Sequence, residues 1–196
     1  MDFGAAKEYI VHRLREELKP SLTYHCLQHT LDVLEATQQL ALAENAGEHQ
    51  TALLLTAALY HDTGMLIRYQ DHESASADVA RETLPGFGYT TGEIDEIIRL
   101  IMVTKLPQRP VSHDEEIICD ADLYYLGGED FFLGSFQLQY EWNINGIRKT
   151  NLREWLNIQL AFLSDHRYFT RSAFLSREER KKQHLFELKG LCENCT

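Results

Sequence analysis

Nowhere in this chain do 18 consecutive apolar residues occur, so no segment reads as a membrane-spanning helix. The opening Met1-Asp2-Phe3-Gly4 also lacks the basic-then-apolar pattern of a secretory leader, and the expectation is a soluble, cytoplasmic protein with no membrane partner. Basic charge is scarce as well. Nineteen Lys and Arg against 30 Asp and Glu give a formal charge of −11, which repels nucleic-acid phosphates within a Debye length and argues against nucleic acid as a partner. A small phosphate substrate would need local positive charge against that field, from a metal or from a few placed cations. The four cysteines, Cys26, Cys119 and the terminal Cys192 and Cys195, are too few and too unevenly placed for a disulfide framework. Cys26 and Cys119 lie in apolar stretches and read as buried thiols, and the Cys-Glu-Asn-Cys pair reads as a reduced tail.

What remains is helical. No run of strict apolar/polar alternation is long enough for a paired strand, and the length of 196 residues with 44% hydrophobic content suits one domain spanning 1–196. The periodicity predicts helices over about 3–18, 22–44, 49–62, from 74 to before Pro85, 93–105, 112–126, 129–141, 150–165 and 173–190. On the second, Leu22, Cys26, His29, Val33, Ala36 and Leu40 share one stripe. The third is apolar nearly all round, as a central buried helix should be, and Gly64 is its expected stop. Ser112 with Glu115 reads as a capping box. Trp142, Trp155, Phe162, Tyr168 and Phe169 are expected to pack in the core, although Trp142, Tyr168 and Phe169 could also stack on a base. The basic run Arg177 to Lys182 reads as a solvated face.

The chemistry lies in polar residues placed where a core should be apolar. Asp62 closes a nearly uniform apolar helix, and burying an unpaired carboxylate costs several kcal/mol, so it needs a partner. His61 and Asp62 are about 100° apart on a helix, but at its terminus both can reach one point. Together they make half a shell for a divalent cation, with Mn²⁺, Fe²⁺, Co²⁺, Ni²⁺, Zn²⁺ and Mg²⁺ not distinguished. His29, on the apolar stripe, and the Asp120-Ala121-Asp122 tract offer further ligands. The two carboxylates of that tract lie about 200° apart on a helix, so only one can face a given site.

The ordered set His29, His61-Asp62, Asp122 resembles the HD superfamily of metal-dependent phosphohydrolases. The stretch Tyr24-His25-Cys26-Leu27-Gln28-His29-Thr30-Leu31-Asp32-Val33 is similar to that family's opening histidine helix, Ala57-Ala58-Leu59-Tyr60-His61-Asp62-Thr63-Gly64 to its His-Asp helix end, and Asp120-Ala121-Asp122-Leu123 to its last motif. The resemblance covers about residues 22–130. It implies an all-α, compact bundle of seven to nine helices, with the C-terminal helices 131–190 completing the pocket. It also implies His29, His61, Asp62 and Asp122 as ligands of one divalent metal, His29 taking the role rather than His25, and Asp120 as an outer group holding a ligand.

The implied activity is hydrolysis of a phosphate ester or anhydride, of a nucleotide or a small phosphorylated metabolite, through a metal-activated water. Asp62, Asp120, His72 and Lys105 are then the candidate catalytic residues, and Arg68, His72 and Lys105 the candidate substrate contacts. His72, in the loop Tyr69-Gln70-Asp71-His72-Glu73, suits a general acid or a phosphate contact, and equally an exposed loop histidine. Lys105 suits a phosphate or merely a helix C-terminus. Relatives with two metals carry further histidines, whereas Leu100-Ile101-Met102-Val103-Thr104-Lys105 offers none, which favours one metal over a di-iron oxygenase. The other alternative is a non-catalytic module that binds a nucleotide or phosphate. A homodimer is a mild expectation for an acidic helical domain of this size.

Overall fold

The computed structural model describes residues 1–194, and among them it has nine α-helices and no strand. Residues 1–19 and 25–122 form one compact unit, and residues 20–24 with those from Leu123 onward form a second. No helix of the described residues is long and apolar enough to cross a membrane.

The first unit is built around α3 (Glu48–Tyr60), which packs against α1 (Phe3–Glu17), α2 (Leu27–Ala43), α4 (His72–Thr83), α5 (Thr91–Met102) and α6 (His113–Asp122). The reason is in its sequence: Leu53, Leu54, Ala57, Ala58, Leu59 and Tyr60 are all buried, and each large side chain removed from water stabilises by about 1.5–3 kcal/mol. Its two buried hydroxyls are satisfied within the unit. Thr56 meets the Tyr89 hydroxyl at 2.9 Å and Tyr60 meets Thr83 at 3.1 Å. On α5, Ile94, Ile97, Leu100 and Ile101 face inward, and a reciprocal Thr90–Glu93 capping box opens the helix two residues before the predicted start at Glu93.

Four local expectations need correction. The helix predicted from residue 22 begins at Leu27, because the Tyr24 N–H is taken by a Glu141 carboxylate oxygen at 2.8 Å and Cys26 is extended. Cys26 is accordingly half-buried, whereas Cys119 is buried and its thiol pushed up by burial. Gly64 is not a left-handed helix cap. A Cβ there would lie 2.0 Å from the His72 carbonyl oxygen, so glycine is required by the close approach of a 3-10 turn (Thr63–Leu66) to α4. The Ser112 hydroxyl does accept from Glu115 N at 3.3 Å, but the Glu115 carboxylate accepts from Val111 N at 2.6 Å, where the capping-box pattern would take it to Ser112 N.

The second unit consists of a 3-10 turn (Tyr124–Gly127), α7 (Phe131–Ile144), α8 (Leu152–Asp165) and α9 (Arg171–Asn194). Leu123, Leu126, Phe131, Leu156, Leu163 and Leu188 form its core. Trp155 is fully buried, its indole N–H donating to Ser135 at 2.9 Å, and Trp142 packs edge-on against it. Tyr168 is buried as expected, but Phe169 is 40% exposed. The basic run is not uniformly solvated. Arg177 stacks over Tyr124 at 4.0 Å, and Lys181 is buried, paired with Glu178 and donating to the His166 carbonyl. Cys192 is half-buried, and Cys195 lies outside the described residues.

Candidate metal centre

Three elements of the first unit bring polar side chains to one point. His29 lies in the first turn of α2, His61 and Asp62 follow the last residue of α3, and Asp122 is the final residue of α6. The His29 and His61 Nε2 atoms are 3.3 Å apart. Asp62 Oδ2 is 3.4 Å from the first and 3.3 Å from the second, and Asp122 Oδ1 is 3.6 Å and 3.5 Å from the same two atoms. Donor atoms about 2.1 Å from a shared ion lie about 3.4 Å from one another in a tetrahedral arrangement, so the observed separations suit a small cation. Geometry alone groups His29, His61 and Asp122 as a possible cation site, with Asp62 directly against it.

The hydrogen bonds fix which atoms are available. His61 Nδ1 donates to the Ala58 carbonyl at 2.7 Å, which leaves Nε2 as the ring nitrogen facing the cluster. Asp62 Oδ2 is buried and has no hydrogen-bond partner. A buried carboxylate oxygen facing two imidazole nitrogens is costly in isolation and stabilised by a cation, so the donor set fits a divalent metal. Electrostatics agree. Burial opposes protonation of His61, but the adjacent Asp62 and then Asp122 outweigh it and lift the imidazole to about 9. Burial raises the Asp62 carboxyl, yet His61 and His72 hold it well below the usual carboxylate range. The pocket attracts positive charge.

His72 does not sit in a loop. Asp71 adopts a left-handed conformation (φ 57°), and α4 starts at His72 itself. Its Nδ1 donates to the Tyr69 carbonyl at 3.1 Å, and its Nε2 lies 3.2 Å from Asp62 Oδ1, the oxygen turned away from His29 and His61. Lys105 is ion-paired with Asp71, and Arg68 lies 3.7 Å from the other oxygen of the same carboxylate. Both cations are about half exposed. Asp120 is buried on α6 and is not part of the His29, His61, Asp122 group.

Two neighbours were given no role by sequence reasoning. The His25 ring packs 5.5 Å from His72 and 6.1 Å from His29, centre to centre. The Gln108 side-chain amide donates to Asp122 Oδ2 at 3.1 Å. His25 stood in the same motif as His29 and was passed over in its favour, whereas nothing in the pattern marks Gln108.

The family model for the HD domain matches residues 26–125, and the chain belongs to that family. No curated protein matches it. The fold is similar to that of Bacillus subtilis YpgQ, solved in complex with ADP, at 17% identity over 98% of this chain and 97% of that one, TM-score 0.66. It is also similar to a predicted HD superfamily hydrolase from an uncultured Thermotogales bacterium, at 19% identity over 96% and 92%, TM-score 0.65.

Proposed function

We propose that the chain is a metal-dependent phosphohydrolase acting on a nucleotide or another small phosphorylated metabolite, with one divalent metal held by His29, His61, Asp62 and Asp122. The observation that carries this reading is the buried, unpartnered Asp62 Oδ2 facing two imidazole Nε2 atoms at 3.3–3.4 Å. A divalent cation in such a shell supplies an activated water and Lewis-acid polarisation of a phosphoryl oxygen. His72 holds a proton at Nε2 through Asp62 Oδ1, at the rim of the cluster, and is the residue placed to give it to a leaving oxygen. Lys105 and Arg68 take the phosphate charge, in exchange for the Asp71 carboxylate they share in its absence. The HD family assignment supports the reaction class, and the ADP held by one structural relative supports a nucleotide as the substrate class.

The test is a hydrolysis panel of nucleoside mono-, di- and triphosphates, a phosphomonoester and a generic phosphodiester, with Mn²⁺ and with excess chelator. Metal-dependent release of product, reduced about 10²-fold or more in His72→Ala, supports the reading. A second reading, a nucleotide-binding module without turnover, is favoured by that relative's ADP complex. It predicts saturable nucleotide binding and no product under any metal.

A further inference from the structure

We propose that Gln108 is the positioning residue of Asp122: its amide fixes the carboxylate rotamer and thereby sets how tightly the centre binds its metal. The inference rests on the metal reading above. Of the four cluster side chains Asp122 is the least buried, and it is the last residue of α6. Asp62, in contrast, is held from behind by His72. A carboxylate at a helix end is free to rotate about its terminal torsion, which is broad and two-fold. Gln108 Nε2 removes that freedom by donating to Oδ2 at 3.1 Å, which leaves Oδ1 facing His29 and His61.

Gln108 is itself held. The same amide donates to the Thr104 carbonyl at 3.4 Å, and the Thr104 hydroxyl donates to the Ile101 carbonyl at 2.8 Å. At the far end of the connection between α5 and α6, Val111 N–H is bound by Glu115, and Arg99 bonds Ser112 at 3.1 Å and pairs with Glu115. The connection is therefore tied down on both sides of the residue that reaches Asp122. A neutral amide also suits the task better than a cation. Lys or Arg at this place would neutralise the carboxylate and repel the metal, whereas an amide orients it and leaves its charge available.

The test compares wild type with Gln108→Leu, which keeps the volume and removes the donor, and with Arg109→Ala as a control on the same connection. Mn²⁺ affinity is measured by calorimetry, and the melting temperature of the metal-free proteins is measured beside it. Replacing a residue that orients a ligand typically weakens metal binding about 10–100-fold, and that is the loss expected for Gln108→Leu. Arg109→Ala should not weaken it, with metal-free melting of both variants within about 3 °C of wild type. In Co²⁺-loaded protein the visible bands should change shape in Gln108→Leu, a change of coordination that a general loss of stability would not produce. Unchanged Mn²⁺ affinity in Gln108→Leu beside a wild type that binds, or a metal-free melting point lowered by ~10 °C or more, overturns the assignment of Gln108 alone. A folded wild type that binds no Mn²⁺ or Co²⁺ overturns it together with the metal reading.

Discussion

The Nε2 atoms of His29 and His61 face one another at 3.3 Å, and the His61 proton is committed to Nδ1 by the Ala58 carbonyl. Two imidazole nitrogens meeting in this way, with Asp62 Oδ2 against both, are drawn together by positive charge placed between them. Metal should therefore act as a folding ligand. At a concentration of 100 times its dissociation constant it adds about 2.7 kcal/mol, which for a chain of this length raises the melting temperature by about 5–10 °C. Thermal scans with Mn²⁺, and with a chelator in excess, check this. A melting temperature indifferent to both speaks against the centre.

Gly64→Ala should be among the most damaging small substitutions in the first unit. The added Cβ would meet backbone atoms of α4, His72 O at 2.0 Å and Ser76 N at 2.7 Å, which cannot yield as a flexible side chain can. The expected cost is at least about 2 kcal/mol, read from the urea midpoint. Because α4 must shift to accommodate it, His72 moves relative to Asp62, and turnover should fall further than the unfolded fraction explains.

Lys105 and Arg68 share Asp71 on an exposed surface, where ion pairs contribute little to stability. Lys105→Ala should thus leave the urea midpoint close to that of wild type while raising KM for an anionic substrate. Steady-state kinetics beside chemical denaturation separate the two. An unchanged KM would remove Lys105 from the substrate contacts.

His166 gives the second unit an acid-sensitive point. Burial, then Lys181 and Arg167, depress its imidazole from 6.5 to about 3. Between those values the unfolded chain binds the proton and the folded chain does not, so stability rises with pH across this window and is lost as pH falls from about 6.5. Going from pH 6.5 to 5 should cost wild type up to about 2 kcal/mol more than His166→Asn, whose amide oxygen can replace Nδ1 as the acceptor facing Lys181. Parallel urea titrations at the two pH values measure the difference, and equal slopes would show that His166 does not carry it.

Much of the fold was legible because burial writes itself into periodicity. The all-round apolar character of Leu53 to Tyr60 marks α3 as central, and the stripes of α2 and α5 show which faces turn inward. What periodicity cannot see is a backbone group claimed by a distant side chain. Leu22 and Cys26 continue the stripe of α2, yet Glu141 captures Tyr24 N and the helix starts later. His72 looked like a loop residue because a left-handed Asp71 leaves no mark in the hydrophobic pattern. In the cluster, His61 and Asp62 stood out as polar groups closing an apolar helix, His29 and the choice of Asp122 over Asp120 came from the resemblance to the HD family, and Gln108 sits in a polar connection and acquires meaning only from its distance to Asp122.

The measurement that bears most directly on the central claim is the metal content of the purified, reconstituted protein, determined for wild type and for Asp62→Ala. The wild type should hold about one divalent transition metal per chain, and Asp62→Ala should lose it together with metal-dependent hydrolysis. A folded wild type that retains no metal after reconstitution, or an Asp62→Ala variant that binds it as tightly, would contradict the account.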